Sequence, residues 1–151
     1  TRPENYGLIC HKQHPGTPVK VPILVLYGDY EAAIKSMARR TYLSAIATKL
    51  RFGLDIPELP LRRLIGSFPE DPLGIIGFLN SFKNAKEDGL DDIEFLQYPF
   101  TNQDAEAALA RLGLDVNMNT FVLRERKIDS RPLSKNVMEL LEKYGRLEFN
   151  P

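Results

Sequence analysis

The chain reads as an α+β protein: a small mixed sheet, partly parallel in the α/β manner, packed with about five helices around a central long helix. Three observations carry this reading. The order reads strand, three helices, strand, helix, strand, helix and short strand, so that in the second half of the chain a helix separates each strand from the next, as parallel pairing there requires. Apolar residues recur at three- and four-residue spacing through several longer segments. One of these, between Asp29 and Gly53, is apolar around nearly its whole circumference, which marks an interior helix.

Residues 1–20 hold three prolines and two glycines and read as an extended or poorly ordered N-terminal arm, with residues 21–151 forming a single globular domain. The first strand contains Pro22, so it lies at a sheet edge or starts after that residue. Asp29 is a natural N-cap, since its carboxylate can accept from the orphan amides of a first helical turn, and Gly53 is a natural stop. Between them Ile34, Met37, Ala38, Thr41, Ala45, Thr48 and Phe52 define one apolar stripe, while Ala32, Leu43, Ile46, Ala47 and Leu50 fill much of the remaining surface. Residues 55–60 form a proline-stiffened connector, and residues 61–65 a short apolar and basic segment. Asp71 with Pro72 then announces a helix as cap and first position, and Ile75, Phe78, Leu79 and Phe82 give it a core stripe.

Residues 86–89 read as a turn into the strand at 93–98, which Pro99 ends. Thr101 and Asp104 approximate a capping box for a helix whose inner face is Ala105, Ala108, Leu109 and Leu112, with Gly113 and Leu114 as its stop. Residues 119–127 are expected as a further strand. Ser134 caps a last helix with Val137, Leu140, Leu141 and Tyr144 on its inner face, a Glu139–Lys143 pair on its outer face and Gly145 at its end. Leu147 and Phe149 alternate like a short final strand.

With 151 residues, 43% of them hydrophobic and 26% charged, the chain suits one domain that needs neither disulfides nor metal. Its single cysteine, Cys10, fits a reducing compartment. The longest apolar run, near residues 21–27, is too short to span a bilayer, and no signal-peptide pattern opens the chain. The expected location is intracellular, cytoplasmic or nuclear. Because the first residue is Thr, a piece of something longer is expected. The net charge is zero, but residues 1–67 carry ten Lys/Arg against five Asp/Glu, residues 68–115 three against ten, and residues 116–151 seven against five. Such segregation suits a charged partner or self-association.

Catalytic signals are sparse. The soft ligands Cys10, His11 and His14 sit together in the arm, but no other Cys or His exists to complete a zinc site, so no metal or cofactor is expected. The same scarcity removes most triads and thiol–imidazole pairs. Gly28-Asp29 lies where a phosphate loop would follow a strand, but it lacks the further glycines and the lysine. Gly74-Ile75-Ile76-Gly77 resembles the GxxG loop of KH domains, yet it falls in a helical pattern behind Glu70 and Asp71, where phosphate is repelled.

One enzymatic alternative is a PD-(D/E)xK-like metal-dependent nuclease using Asp115, Glu125 and Lys127, with Glu125 and Lys127 on one strand face to hold a divalent ion and steady the attacking water. A second alternative is a nucleic-acid footprint built from Lys35, Arg39, Arg40, Arg62, Arg63, Arg124, Arg126 and Lys127, with Arg131 close to the last of them. The favoured expectation is a non-enzymatic protein-interaction or assembly domain, part of a larger protein, that binds protein partners or copies of itself through its arm, its charge pattern and its short edge strands. The lack of a familiar motif set leads to the expectation of a fast-evolving sequence of viral type.

Overall fold

The computed structural model describes residues 22–53, 56–90, 92–124 and 130–151. Its elements in chain order are β1 (Ile23–Tyr27), α1 (Tyr30–Arg39), α2 (Leu43–Phe52), α3 (Leu61–Ser67), α4 (Ile75–Glu87), β2 (Ile93–Gln97), α5 (Asn102–Arg111) and α6 (Lys135–Tyr144). Among the described residues, six helices with a two-stranded parallel sheet make a small α+β fold. The chain divides into two compact units. One comprises residues 1–28, 81–128 and 151; the other comprises 29–80 and 129–150.

In the first unit β1 and β2 pair in parallel with Ile23 opposite Ile93 and Tyr27 opposite Gln97. The strand starts after Pro22, the residue that cannot donate to a ladder. Ile23 and Val25 are buried on β1, Ile93 and Leu96 on β2, and Leu96 packs with Ala105 and Ala108 of α5. The capping box forms as expected, Thr101 Oγ1 accepting from the Asp104 amide while Asp104 accepts from the Thr101 amide. That second bond holds the Asp104 carboxyl below its ordinary value. Gly113, at φ 77°, closes α5 through bonds from its own amide to Ala110 O and from the Leu114 amide to Leu109 O.

The second unit is helical. Tyr30, Ile34, Leu43, Ala47, Leu64, Leu73, Val137, Leu140 and Tyr144 form its buried cluster. Asp29 caps α1 by accepting from the Glu31 and Ala32 amides, and Ser134 caps α6 by accepting from the Val137 amide. Helix α1 packs on α2 and α6, and α2 on α3. Thr48 is 1% exposed and ties α2 to the connector that follows: its hydroxyl donates to Ser44 O and accepts from the Leu59 amide.

Four expectations change. The central long helix is two helices. At Arg40-Thr41-Tyr42 the chain turns with Thr41 at φ 59°, the Thr41 amide bonding Ala38 O and the Tyr42 amide Met37 O, a helix stop normally built on glycine. The break lets Leu43 and Ala47 join the core that Ile34 occupies, whereas one straight helix would carry them around its side. Helix α4 begins at Ile75, not at Pro72; the Asp71 carboxylate nevertheless receives an amide of its first turn, that of Gly77, at 2.9 Å.

Residues 119–124 form no strand. The chain turns at their start, the Phe121 amide bonding Met118 O, and α5 side chains hold the turn: Asn102 Nδ2 donates to Met118 O and Phe121 O, and Glu106 Oε1 accepts from the Met118 amide. Finally, Leu147 lies in no strand: its amide bonds Tyr144 O and its side chain packs on the helical cluster. The remaining part of the expected strand, residues 125–127, lies outside the described residues.

Candidate functional site

The helical unit carries an amphipathic groove of about 330 Å³ between α3 and α6. Its apolar lining is Leu61 and Ile65 from α3 with Leu140 and Tyr144 from α6, and its polar lining is Arg62, Asn136, Glu139 and Lys143. Helical spacing explains the division. Leu61 and Ile65 lie four residues apart on one face of α3, while Asn136, Leu140 and Tyr144, with Glu139 and Lys143, follow the three- and four-residue rows of α6.

None of the four polar side chains makes a hydrogen bond or ion pair among the described residues. The expected Glu139–Lys143 pair is absent there, and the Lys143 ammonium lies 5.2 Å from the centre of the neighbouring Tyr144 ring. Tyr144 is 4% exposed, and its hydroxyl has no partner among the described residues. The groove therefore combines an apolar floor with donors and acceptors that the fold leaves unspent.

Two polar clusters elsewhere are architectural. Asp71 accepts from the Tyr30 hydroxyl at 2.9 Å and from the Gly77 amide, while its backbone carbonyl accepts from Arg51, whose guanidinium stacks 3.8 Å from the centre of the Phe68 ring. Gly74, at φ 72°, lies so close that a Cβ there would sit 3.4 Å from Arg51 Cβ. With both carboxylate oxygens engaged, this is a clamp on the 68–77 segment. Burial, then the Asp71 charge and hydrogen bond, push the Tyr30 hydroxyl far above its ordinary value. In the other unit, Glu94 accepts from Lys86 at 3.3 Å and Arg111 at 3.0 Å. Burial pushes its carboxyl up, but the bonds from Arg111 and Lys86, with their charges, outweigh that and hold it below the usual value.

The residues singled out from the sequence scatter. Lys35 is paired with Glu31, and Arg39 lines a separate hollow with Arg131. Arg40 and Arg63 are exposed, and Arg62 borders the groove. These five belong to the helical unit, whereas Arg124 lies in the other, its carbonyl accepting from the Tyr98 hydroxyl at 3.5 Å. Asp115 is exposed on the loop after α5. Arg126, Glu125 and Lys127 lie outside the described residues, as do Cys10, His11 and His14. Among the described residues no three His, Cys, Asp or Glu side chains gather as metal ligands, and no helix is long and apolar enough to cross a membrane.

Sequence reasoning missed the groove. Its two walls lie about eighty residues apart in the chain, 140–144 against 61–65, and each reads alone as an ordinary amphipathic helix. No protein-family model, no curated protein and no solved structure matches the chain.

Proposed function

We propose that the chain is a non-enzymatic interaction domain that docks protein partners, or copies of itself, through the groove between α3 and α6. The observation that carries this is the combination of the apolar floor, Leu61, Ile65, Leu140 and Tyr144, with four polar side chains that have no partner among the described residues. A cluster of apolar groups ringed by unspent polar ones has the anatomy of an interface centre and its rim. An amphipathic helix laid into such a groove would seat one or two anchors on the floor and meet the rim with its polar flanks.

The test is a titration of the full chain with amphipathic helical peptides, followed by nuclear magnetic resonance, beside a measurement of self-association over a wide concentration range. Support is a set of shifts centred on Leu61, Ile65 and Asn136, weakened at least tenfold by Arg62→Glu with Lys143→Glu; about 1.4 kcal/mol, one rim contact, suffices for that. A chain that stays monomeric and whose groove residues do not respond to any peptide would overturn the reading.

A second reading, nucleic-acid binding, draws on Arg40, Arg62 and Arg63, which are exposed and form no ion pair among the described residues. It requires salt-dependent RNA or DNA binding that falls when Arg62 and Arg63 become Ala. Binding indifferent to salt and to these substitutions would remove it.

A further inference from the structure

We infer that the free edge of β1 is a dimerisation surface: a second copy of this chain adds its own β1 antiparallel, about a two-fold axis at Val25, to make a continuous sheet in the order β2-β1-β1-β2. The surface lies in the unit that contains the sheet and does not rest on the groove reading.

The phase of the ladder identifies the free groups. The Ile23 amide bonds Asp92 O at 2.8 Å and the Tyr98 amide bonds Tyr27 O at 2.7 Å, so in this parallel pair the backbone groups of Ile23, Val25 and Tyr27 are turned to β2. Those of Leu24 and Leu26 point the other way, and neither their amides nor their carbonyls have a partner among the described residues. The Leu26 side chain beside them is 53% exposed. Sheet edges are ordinarily blunted by a charge, a bulge or a covering element. Strand β2 carries such a charge, Glu94 held by Lys86 and Arg111, whereas Ile23–Tyr27 carries none. A bare apolar edge on a two-stranded sheet, itself marginal without further strands, is a template for another strand.

The strand's own sequence fits that template. With Val25 opposite Val25 of the second copy, Leu24 lies opposite the other chain's Leu26, and such a pair exchanges both N–H···O=C bonds. The two-fold therefore spends every free amide and carbonyl of Leu24 and Leu26 on both chains, in a self-complementary interface. A shift of one residue would instead present groups already bonded to β2. No charge meets a like charge, because the strand is uncharged from end to end, and Ile23 comes opposite Tyr27, a β-branched and aromatic cross-strand pair. The ends fit as well: Pro22, which lacks an amide and carries a ring, comes opposite Gly28, which has no side chain, and both are exposed.

The experiment measures self-association of the full chain by sedimentation from about 1 µM to about 1 mM, with amide hydrogen exchange at both ends of that range. The expected result is a monomer–dimer equilibrium in which exchange of the Leu24 and Leu26 amides slows at least about tenfold on dimerisation, while the amides of Ile23, Val25 and Tyr27, already bonded to β2, change little. Leu26→Lys sets an ammonium against Leu24 of the second copy and is expected to weaken the dimer at least about tenfold. Its monomer should melt at the wild-type temperature, since the side chain is exposed. The exchange pattern needs no variant and decides the point by itself. A chain that is monomeric throughout, a dimer that leaves the Leu24 and Leu26 amides unprotected, or a dimer indifferent to Leu26→Lys would overturn the inference. A dimer weakened by Arg62→Glu with Lys143→Glu but not by Leu26→Lys lies at the groove, and would overturn it while supporting the docking reading above.

Discussion

Thr41 shows how one residue can redirect a chain without a visible signal. It occupies the left-handed position of a helix stop, at φ 59°, where a β-branched side chain is strained by about 1–2 kcal/mol. Glycine removes that strain but restores about 0.5–1 kcal/mol of chain entropy to the unfolded state. Thr41→Gly is therefore expected to raise stability by about 0.5–1 kcal/mol, read as a higher urea midpoint with an unchanged slope. Tyr30 gives a second residue-scale expectation. Its hydroxyl ionises far less readily folded than unfolded, so its contribution is complete below the ordinary tyrosine value and is lost as pH rises above it. Stability should fall above about pH 10, by up to about 1.4 kcal/mol per unit from this group, and Tyr30→Phe should flatten that part of the profile at the cost of the Asp71 hydrogen bond. Denaturant titrations at neutral and alkaline pH on both proteins measure the difference.

At the scale of elements, the local signals read well and the long-range ones do not. Asp29, Thr101 and Ser134 cap the helices that their side-chain chemistry suits, and Gly53 and Gly113 end theirs, because a cap is decided within a few residues. The break at Thr41 escaped because it lacks glycine. The strand expected at 119–127 fails over its described part because the chain turns at Met118 to Phe121, a turn that Asn102 and Glu106 hold from α5, outside the alternating stretch that suggests a strand. The groove was illegible for a related reason: α3 and α6 meet only in three dimensions, and nothing in the spacing of either says which side chains will be left without partners.

Thr48 tests this dependence on distant partners. Thr48→Val keeps the volume but leaves the half-buried Leu59 amide without its partner, and should cost about 1 kcal/mol in denaturant titrations, whereas Thr48→Ser retains the hydroxyl and most of that contribution. In the other unit, Glu94 contributes stability above its unfolded value that is lost as pH falls through its lowered folded value, so Glu94→Gln should flatten the acid limb of the stability profile.

At the scale of the whole molecule the charges of the described residues stay segregated by unit: the unit containing the sheet holds four Lys/Arg against seven Asp/Glu, and the helical unit eleven against eight. The charge pattern read along the chain thus persists between the two units. Helix α4 runs from Ile75 to Glu87, and Asn80 is exposed in its interior, so a substitution there acts on the helix and not on a core. Asn80→Pro removes an amide and crowds the preceding turn, and should cost about 3 kcal/mol, as proline does in a helix interior. Asn80→Gly keeps the amide and should cost at most about 1 kcal/mol. Urea midpoints of both variants beside the wild type measure the two costs, and a proline variant no less stable than the glycine one would mean that α4 is interrupted at Asn80 in solution.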